Sequence, residues 1–176
     1  GYGGAVYLSG IWAEFVDSKF SRNVAGSEGG AMYLYGMSDS RAEVEVTGTL
    51  FEGNRADFFD GEGTAVYSRF FVHTTLADCE FRNNRPHEGF EGDADHPFGI
   101  AVVQLAFRHS KGGLGDSAPW HDKGSAITLM NCGFEGNDGV VLLADGPALV
   151  LDVEVDQCER DVCWVSVADG EGGEHA

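Results

Sequence analysis

The side chains best placed to do chemistry in this 176-residue chain are gathered in two stretches. The first, residues 85–98, carries Asp93, Asp95 and His96 close together. A D-x-D-H run of this kind offers oxygen-rich ligands to a hard divalent cation such as Ca2+. It has neither EF-hand nor nonapeptide-repeat spacing, so it competes with the plainer reading of a solvated acidic loop. The second stretch, residues 108–124, holds His109, Asp116, Trp120, His121 and Asp122. Four of the six histidines fall in these two insertions, and loops on a rigid scaffold are where function is commonly carried. The four cysteines, Cys79, Cys132, Cys158 and Cys163, show no C-x-x-C or zinc spacing. They read as buried thiols packed as small hydrophobes. The alternatives left open are a disulfide between Cys158 and Cys163, or one between stacked cysteines, in an oxidising compartment. No histidine accompanies a cysteine in a way that suggests nucleophilic catalysis. A calcium-dependent lyase site would need an acidic cluster facing an arginine or lysine base. Arg22, Arg55, Arg82 and Arg85 do not align opposite paired carboxylates. No catalytic residue and no cofactor is therefore expected, with Ca2+ on Asp93, Asp95 and His96 as the candidate ligand.

Charge narrows the partners. Eleven Lys and Arg stand against 29 Asp and Glu, a formal net charge of −18. Such a surface repels phosphate backbones and anionic lipid, which disfavours nucleic acid and membrane surfaces as partners. The most apolar segments, around residues 100–107 and 140–151, fall short of the ~18 residues that span a bilayer, so membrane insertion is not expected. Apolar residues make up 43% of the chain, enough for a core. Glycine is abundant at 26 residues without a collagen period, which points to repeated tight turns.

Two alternating motifs set the architecture. A glycine–small–aliphatic strand recurs as Gly3-Gly4-Ala5-Val6-Tyr7-Leu8 and Gly29-Gly30-Ala31-Met32-Tyr33-Leu34. Degenerate copies begin at Gly63, Gly99 and Gly139. Between them runs F-x-x-N, at Phe20/Asn23, Phe51/Asn54, Phe81/Asn84 and Phe134/Asn137. Alignment on the phenylalanine gives further columns: Ala13, Val44, Thr74, Ile127, then Phe15, Val46, Leu76, Leu129, with Glu14, Glu45, Thr75 and Thr128 between. That alternation has period two, a strand with one buried face. Two residues before the phenylalanine stand Ser18, Thr49, Cys79 and Cys132. Short strands, glycine turns and a repeat of this size predict an all-β fold, a right-handed parallel β-helix (solenoid) of about five to six coils with loop insertions. Phe20, Phe51, Phe81 and Phe134 then form an internal ladder, with Asn23, Asn54, Asn84 and Asn137 hydrogen-bonding at the turn beside it. The last coil admits two registers, one placing Arg160 and the other Cys158 in the phenylalanine column. Residues 1–169 read as one β-helix segment, part of a longer solenoid, and 170–176 as a polar, frayed tail.

The alternation of GGA-aliphatic and F-x-x-N resembles the repeats of the polymorphic outer-membrane protein family of autotransporter adhesins, and those of related right-handed β-helix proteins. The resemblance runs from Gly3 to about Asn137. It implies an extracellular or cell-surface passenger, a non-enzymatic structural or adhesive module. The alternative is a carbohydrate-active β-helix, a polysaccharide lyase or hydrolase or a sugar binder. Tyr7, Tyr33 and Tyr67 would supply a glycan platform if they face outward. The first residues already read as a core strand without a cap. Further coils or another protein chain are therefore expected at the N-terminal edge.

Overall fold

A computed structural model describes residues 1–37, 41–57, 63–86, 101–106, 126–138, 140–144, 148–156 and 165–167. These residues are strand and turn throughout, with no helix among them. None is therefore long and apolar enough to cross a membrane as a helix. Four sheets carry the strands, and every pairing is parallel. The GGA sheet runs Val6–Ser9, Met32–Tyr35, Val66–Arg69, Ala101–Ala106, Val140–Ala144, Val165–Val167. The long sheet runs Trp12–Val16, Ala42–Thr47, Val72–Ala77, Ala126–Met130, Ala148–Leu151. The phenylalanine sheet runs Lys19–Ser21, Leu50–Glu52, Glu80–Arg82, Gly133–Glu135, Glu154–Asp156. A short sheet pairs Val24–Ala25, Arg55–Ala56 and Arg85–Pro86. The chain visits the sheets in this order and, on each return, lays its strand beside the one before. The arrangement is that of stacked parallel strands, consistent with a parallel β-helix.

The alternating sequence explains the strands. In Ala42–Thr47 the burial alternates without exception, with Ala42, Val44 and Val46 buried and Glu43, Glu45 and Thr47 exposed. The neighbouring strands repeat the pattern in register: Ala13, Val44, Thr74 and Ile127 pair, as do Phe15, Val46, Leu76 and Leu129. One apolar cluster results, joining Ala42, Val44, Val46, Leu76, Ile127 and Leu129 to Met32, Leu34, Val66, Val103 and Leu142 of the GGA sheet and to the buried phenylalanines. A one-residue slip would turn each apolar set to solvent, which fixes the register.

Residues in the left-handed region mark the corners. Asp17, Gly48, Asp78, Asn131 and Asp152, each three positions before the phenylalanine-column residue, have φ between 47° and 60°. Arg22, Gly53, Asn83 and Gly136, two positions after it, repeat the same conformation at 53–63°. Asp, Asn and Gly tolerate this region best. In the first of these columns the carboxylates alternate with neutral residues. Asn131 Nδ2 donates to Asp78 Oδ1 at 2.6 Å, so an amide separates Asp78 from Asp152.

Two sequence expectations are corrected. The copy beginning at Gly99 is displaced by one residue, because Val66 pairs with Val103 and Val103 with Leu142, while Gln104 pairs with Tyr67. Both Val102 and Val103 are buried, so apolar character on two faces concealed the parity. The final circuit follows neither expected register. Val155, rather than Cys158 or Arg160, occupies the phenylalanine column, and Val150 lies beside Leu129. The strand Ala148–Leu151 keeps the long-sheet register, which brings Val153 rather than a cysteine beside Cys132.

Candidate functional site

The most ordered constellation is the corner where the phenylalanine sheet turns into the short sheet. Phe20, Phe51, Phe81 and Phe134 pair in register. Their rings stack at 5.2, 4.8 and 4.5 Å between centroids, with interplanar angles of 14°, 3° and 4°. Phe51, Phe81 and Phe134 are buried, whereas Phe20 at the first rung is half-buried. Near-parallel rings at this separation add to the area each one buries.

Three residues further on, the asparagines form a second ladder. Asn54 Oδ1 accepts from the backbone N–H and Nδ2 of Asn23, at 3.1 and 2.9 Å. Asn84 Oδ1 accepts the same pair from Asn54, and Asn137 Oδ1 from Asn84, all at 2.9 Å. The remaining Nδ2 hydrogen points backwards: Asn54 donates to the Phe20 carbonyl, Asn84 to that of Phe51 and Asn137 to that of Phe81, at 2.8–3.0 Å. Asn54 and Asn84 thus satisfy their whole amide capacity while fully buried. A shorter, longer or charged side chain at this place cannot supply two acceptances and two donations at once.

The column before the phenylalanines closes the left-handed corner. Ser18, Thr49, Cys79 and Cys132 each donate to the carbonyl two residues back, at 3.0, 3.1, 3.2 and 3.3 Å. Cys79 and Cys132 are buried free thiols. The neighbouring Cys132 thiol and burial push the Cys79 thiol above its ordinary range, so Cys79 itself carries little thiolate. Cys158 and Cys163 lie outside the described residues.

The tyrosines occupy the other side of the GGA sheet. Tyr7, Tyr33 and Tyr67 stack at 5.3 Å per step, and Tyr2 leans on Tyr33 at 4.8 Å. Tyr33 and Tyr67 are buried in a small cluster separate from the core, while Tyr7 and Tyr2 are exposed. The middle of the tyrosine stack is thus a covered packing ladder, and only its first rung is open. Burial pushes the Tyr33 hydroxyl up to about 12, against the opposing effect of Arg69.

On the outer face of the phenylalanine sheet, cations are tied to carboxylates both within a strand and across neighbouring strands. Lys19 meets Glu52 at 2.7 Å, and Arg82 meets Glu80 at 2.6 Å and Glu135 at 3.5 Å. The Lys19 hydrogen bond holds Glu52 below the usual carboxylate range. Arg55 pairs with Asp57 at 2.6 Å on the adjoining short sheet. A shallow depression lies between Glu80, Arg82, Glu135 and Glu154, floored by Gly133, where no side chain stands. Glu14 and Glu45 pair in register on the outer face of the long sheet, and Thr75 and Thr128 continue their column. Asp93, Asp95 and His96 lie outside the described residues, as do the histidines of both insertions. Among the described residues, no group of three or more His, Cys, Asp or Glu side chains is disposed to hold a metal ion.

Stacked parallel strands with repeated ring and amide ladders define a repetitive all-β protein. Among curated proteins, the chain is similar to one described as "Probable autotransporter YfaL" of Escherichia coli (strain K12). The two are 33% identical in an aligned stretch of 118 positions, gaps included, that covers 57% of this chain and 9% of the relative. The matched region is thus a small part of a much longer protein. No family model matches the chain, and no solved structure matches it significantly.

Proposed function

We propose that this chain is a stretch of a right-handed parallel β-helical solenoid, of about five to six coils with loop insertions, belonging to a surface-exposed autotransporter-type passenger. Its role is structural and adhesive rather than enzymatic. The observation that carries this reading is the uninterrupted phenylalanine and asparagine stack, which holds four repeats in one register and makes a stiff rod. The similarity to an autotransporter supports a surface location, as does a net charge of −18 that keeps such a rod soluble. The GGA/F-x-x-N repeat is read as the element of this rod. Its partners are further coils or other protein chains at the N-terminal edge, where Trp12, Val16 and Val24 are exposed, together with surface glycans. Ca2+ at Asp93, Asp95 and His96 is retained as a candidate ligand of the first insertion. The experiment is to express the natural protein in its own cell and treat intact cells with an external protease. Loss of an epitope from this segment supports surface exposure; its full protection contradicts it.

A second reading, a carbohydrate-active helix, draws on the depression lined by Glu80, Arg82, Glu135 and Glu154. Turnover of acidic polysaccharides with and without Ca2+ decides it. Product formation that Glu80→Gln and Glu135→Gln abolish would replace the scaffold reading.

A further inference from the structure

Ser18, Thr49, Cys79, Cys132 and Val153 occupy one column just ahead of the phenylalanine strands. The first four do the same local job, donating to the carbonyl two residues back across a left-handed corner. Thr49 does it while 1% exposed, so burial at this place does not require sulfur. A hydroxyl is also the better donor, since S–H is weak. Neither the turn nor the burial therefore accounts for thiols at two successive rungs. What two adjacent thiols add is the capacity for a covalent bond.

The backbone places them for it. Gly133 N–H donates to the Cys79 carbonyl at 2.9 Å, and Glu80 pairs in register with Gly133. Cys79 and Cys132 are thus neighbours across one strand spacing, about 4.8 Å between backbones, within the Cα separation of known disulfides. Both side chains point into the same core cluster, and both are free thiols.

We propose that Cys79 and Cys132 are a cross-linking pair whose disulfide staples the third repeat to the fourth. Their place in the chain gives the bond its purpose. Neighbouring asparagine rungs are 31 and 30 residues apart in the first two steps, but 53 apart in this one. A bond here closes the longest excursion between those rungs and restricts the unfolded chain most.

Oxidation proceeds by thiol–disulfide exchange with an external disulfide such as oxidised glutathione. One cysteine thiolate attacks it, forming a mixed disulfide and releasing one glutathione thiolate. The second cysteine thiolate attacks the protein sulfur of that mixed disulfide and releases the other. The pair loses two protons and two electrons, and the external disulfide is reduced to two thiols. Each cysteine is 1% exposed in the folded chain, so exchange takes place before the repeats close, and the finished bond is shielded from reductant. Bond formation turns sulfur away from a carbonyl acceptor, a weak interaction that loop closure offsets.

The test is to denature and reduce the full chain, refold it in a reduced/oxidised glutathione mixture, block free thiols and map the non-reduced digest. The wild type and the C158S/C163S variant are treated alike. The expected result is a peptide joining Cys79 to Cys132 and a thermal midpoint on the order of 10 °C above that of the reduced protein. Protein folded first in reductant and only then given the same oxidant is expected to remain unbridged far longer. Folded protein whose Cys79 and Cys132 remain free after oxidative refolding overturns the proposal. So does a wild-type map in which either is bonded chiefly to Cys158 or Cys163. If the double variant does not fold, the wild-type map decides by the same criterion.

Discussion

Asn54 and Asn84, on neighbouring repeats, are joined by two hydrogen bonds that converge on one atom. The backbone N–H and the Nδ2 of Asn54 both reach Asn84 Oδ1 at 2.9 Å. Each rung orients the next, and the polarity of the ladder is the same at every step. The arrangement makes a buried polar side chain a determinant of register rather than a liability.

Replacing Asn84 by leucine removes the acceptor for Asn54 and the side-chain donor that reaches the Phe51 carbonyl. Loss of about 3 kcal/mol or more of unfolding free energy is expected in urea denaturation. Asn23→Ala, at the half-buried first rung, is expected to cost about 1 kcal/mol. Equal effects at the two positions would contradict the ladder.

Phe81 sits between Phe51 and Phe134 and is fully buried. Phe81→Ala is expected to destabilise by about 3–5 kcal/mol through the cavity it leaves. Phe81→Leu, which keeps most of the volume, is expected to cost considerably less, and the same denaturation curves report both.

The glycines differ in what surrounds them. A Cβ on Gly30 would lie 1.9 Å from the Thr64 carbonyl oxygen of the next repeat, where only backbone could yield. Gly133 has open space and an ordinary φ. Gly30→Ala is expected to prevent correct stacking, visible as loss of cooperative unfolding. Gly133→Ala is expected to be neutral or to stabilise by about 0.4–1 kcal/mol.

The raised pKa of Tyr33 makes stability depend on alkaline pH. Its folded value of about 12 exceeds the unfolded value of 10.0. Below pH 10 both states hold the proton and the buried hydroxyl costs nothing extra. As pH rises from about 10 to 12 the unfolded chain ionises first, and about 2–3 kcal/mol of stability is lost. Wild type and Tyr33→Phe compared by denaturation across this window give the difference; parallel curves would contradict it.

The long-sheet and phenylalanine registers were legible because alternation is strict there and Ala13, Val44, Thr74 and Ile127 keep one offset from the phenylalanine. Elsewhere the sequence carries the signal less directly. Around Val102 and Val103 both faces are apolar, so period two disappears and a one-residue slip cannot be seen. In the final circuit the cysteines were attractive anchors, yet the structure aligns Val153 and Val155 instead. Asp17, Gly48, Asp78 and Asn131 stand three places before each phenylalanine, a regularity that the two repeat motifs do not include, and Asp152 joins that column only once Val155 is placed in the phenylalanine column. The asparagine hydrogen bonds follow from spacing once the strands are stacked. The acidic run at Asp93 and Asp95 has no such repeat partner, and spacing alone gives it no geometry.

The central claim is that like residues of successive repeats lie directly above one another in parallel strands. Nuclear Overhauser contacts of the Phe81 ring test it most directly, in protein with labelled phenylalanine. The account predicts ring contacts to both Phe51 and Phe134, without the close Hα–Hα contacts of antiparallel pairs. Strong Hα–Hα contacts between residues 80–82 and either neighbouring strand, or a Phe81 ring that contacts neither phenylalanine, would contradict it.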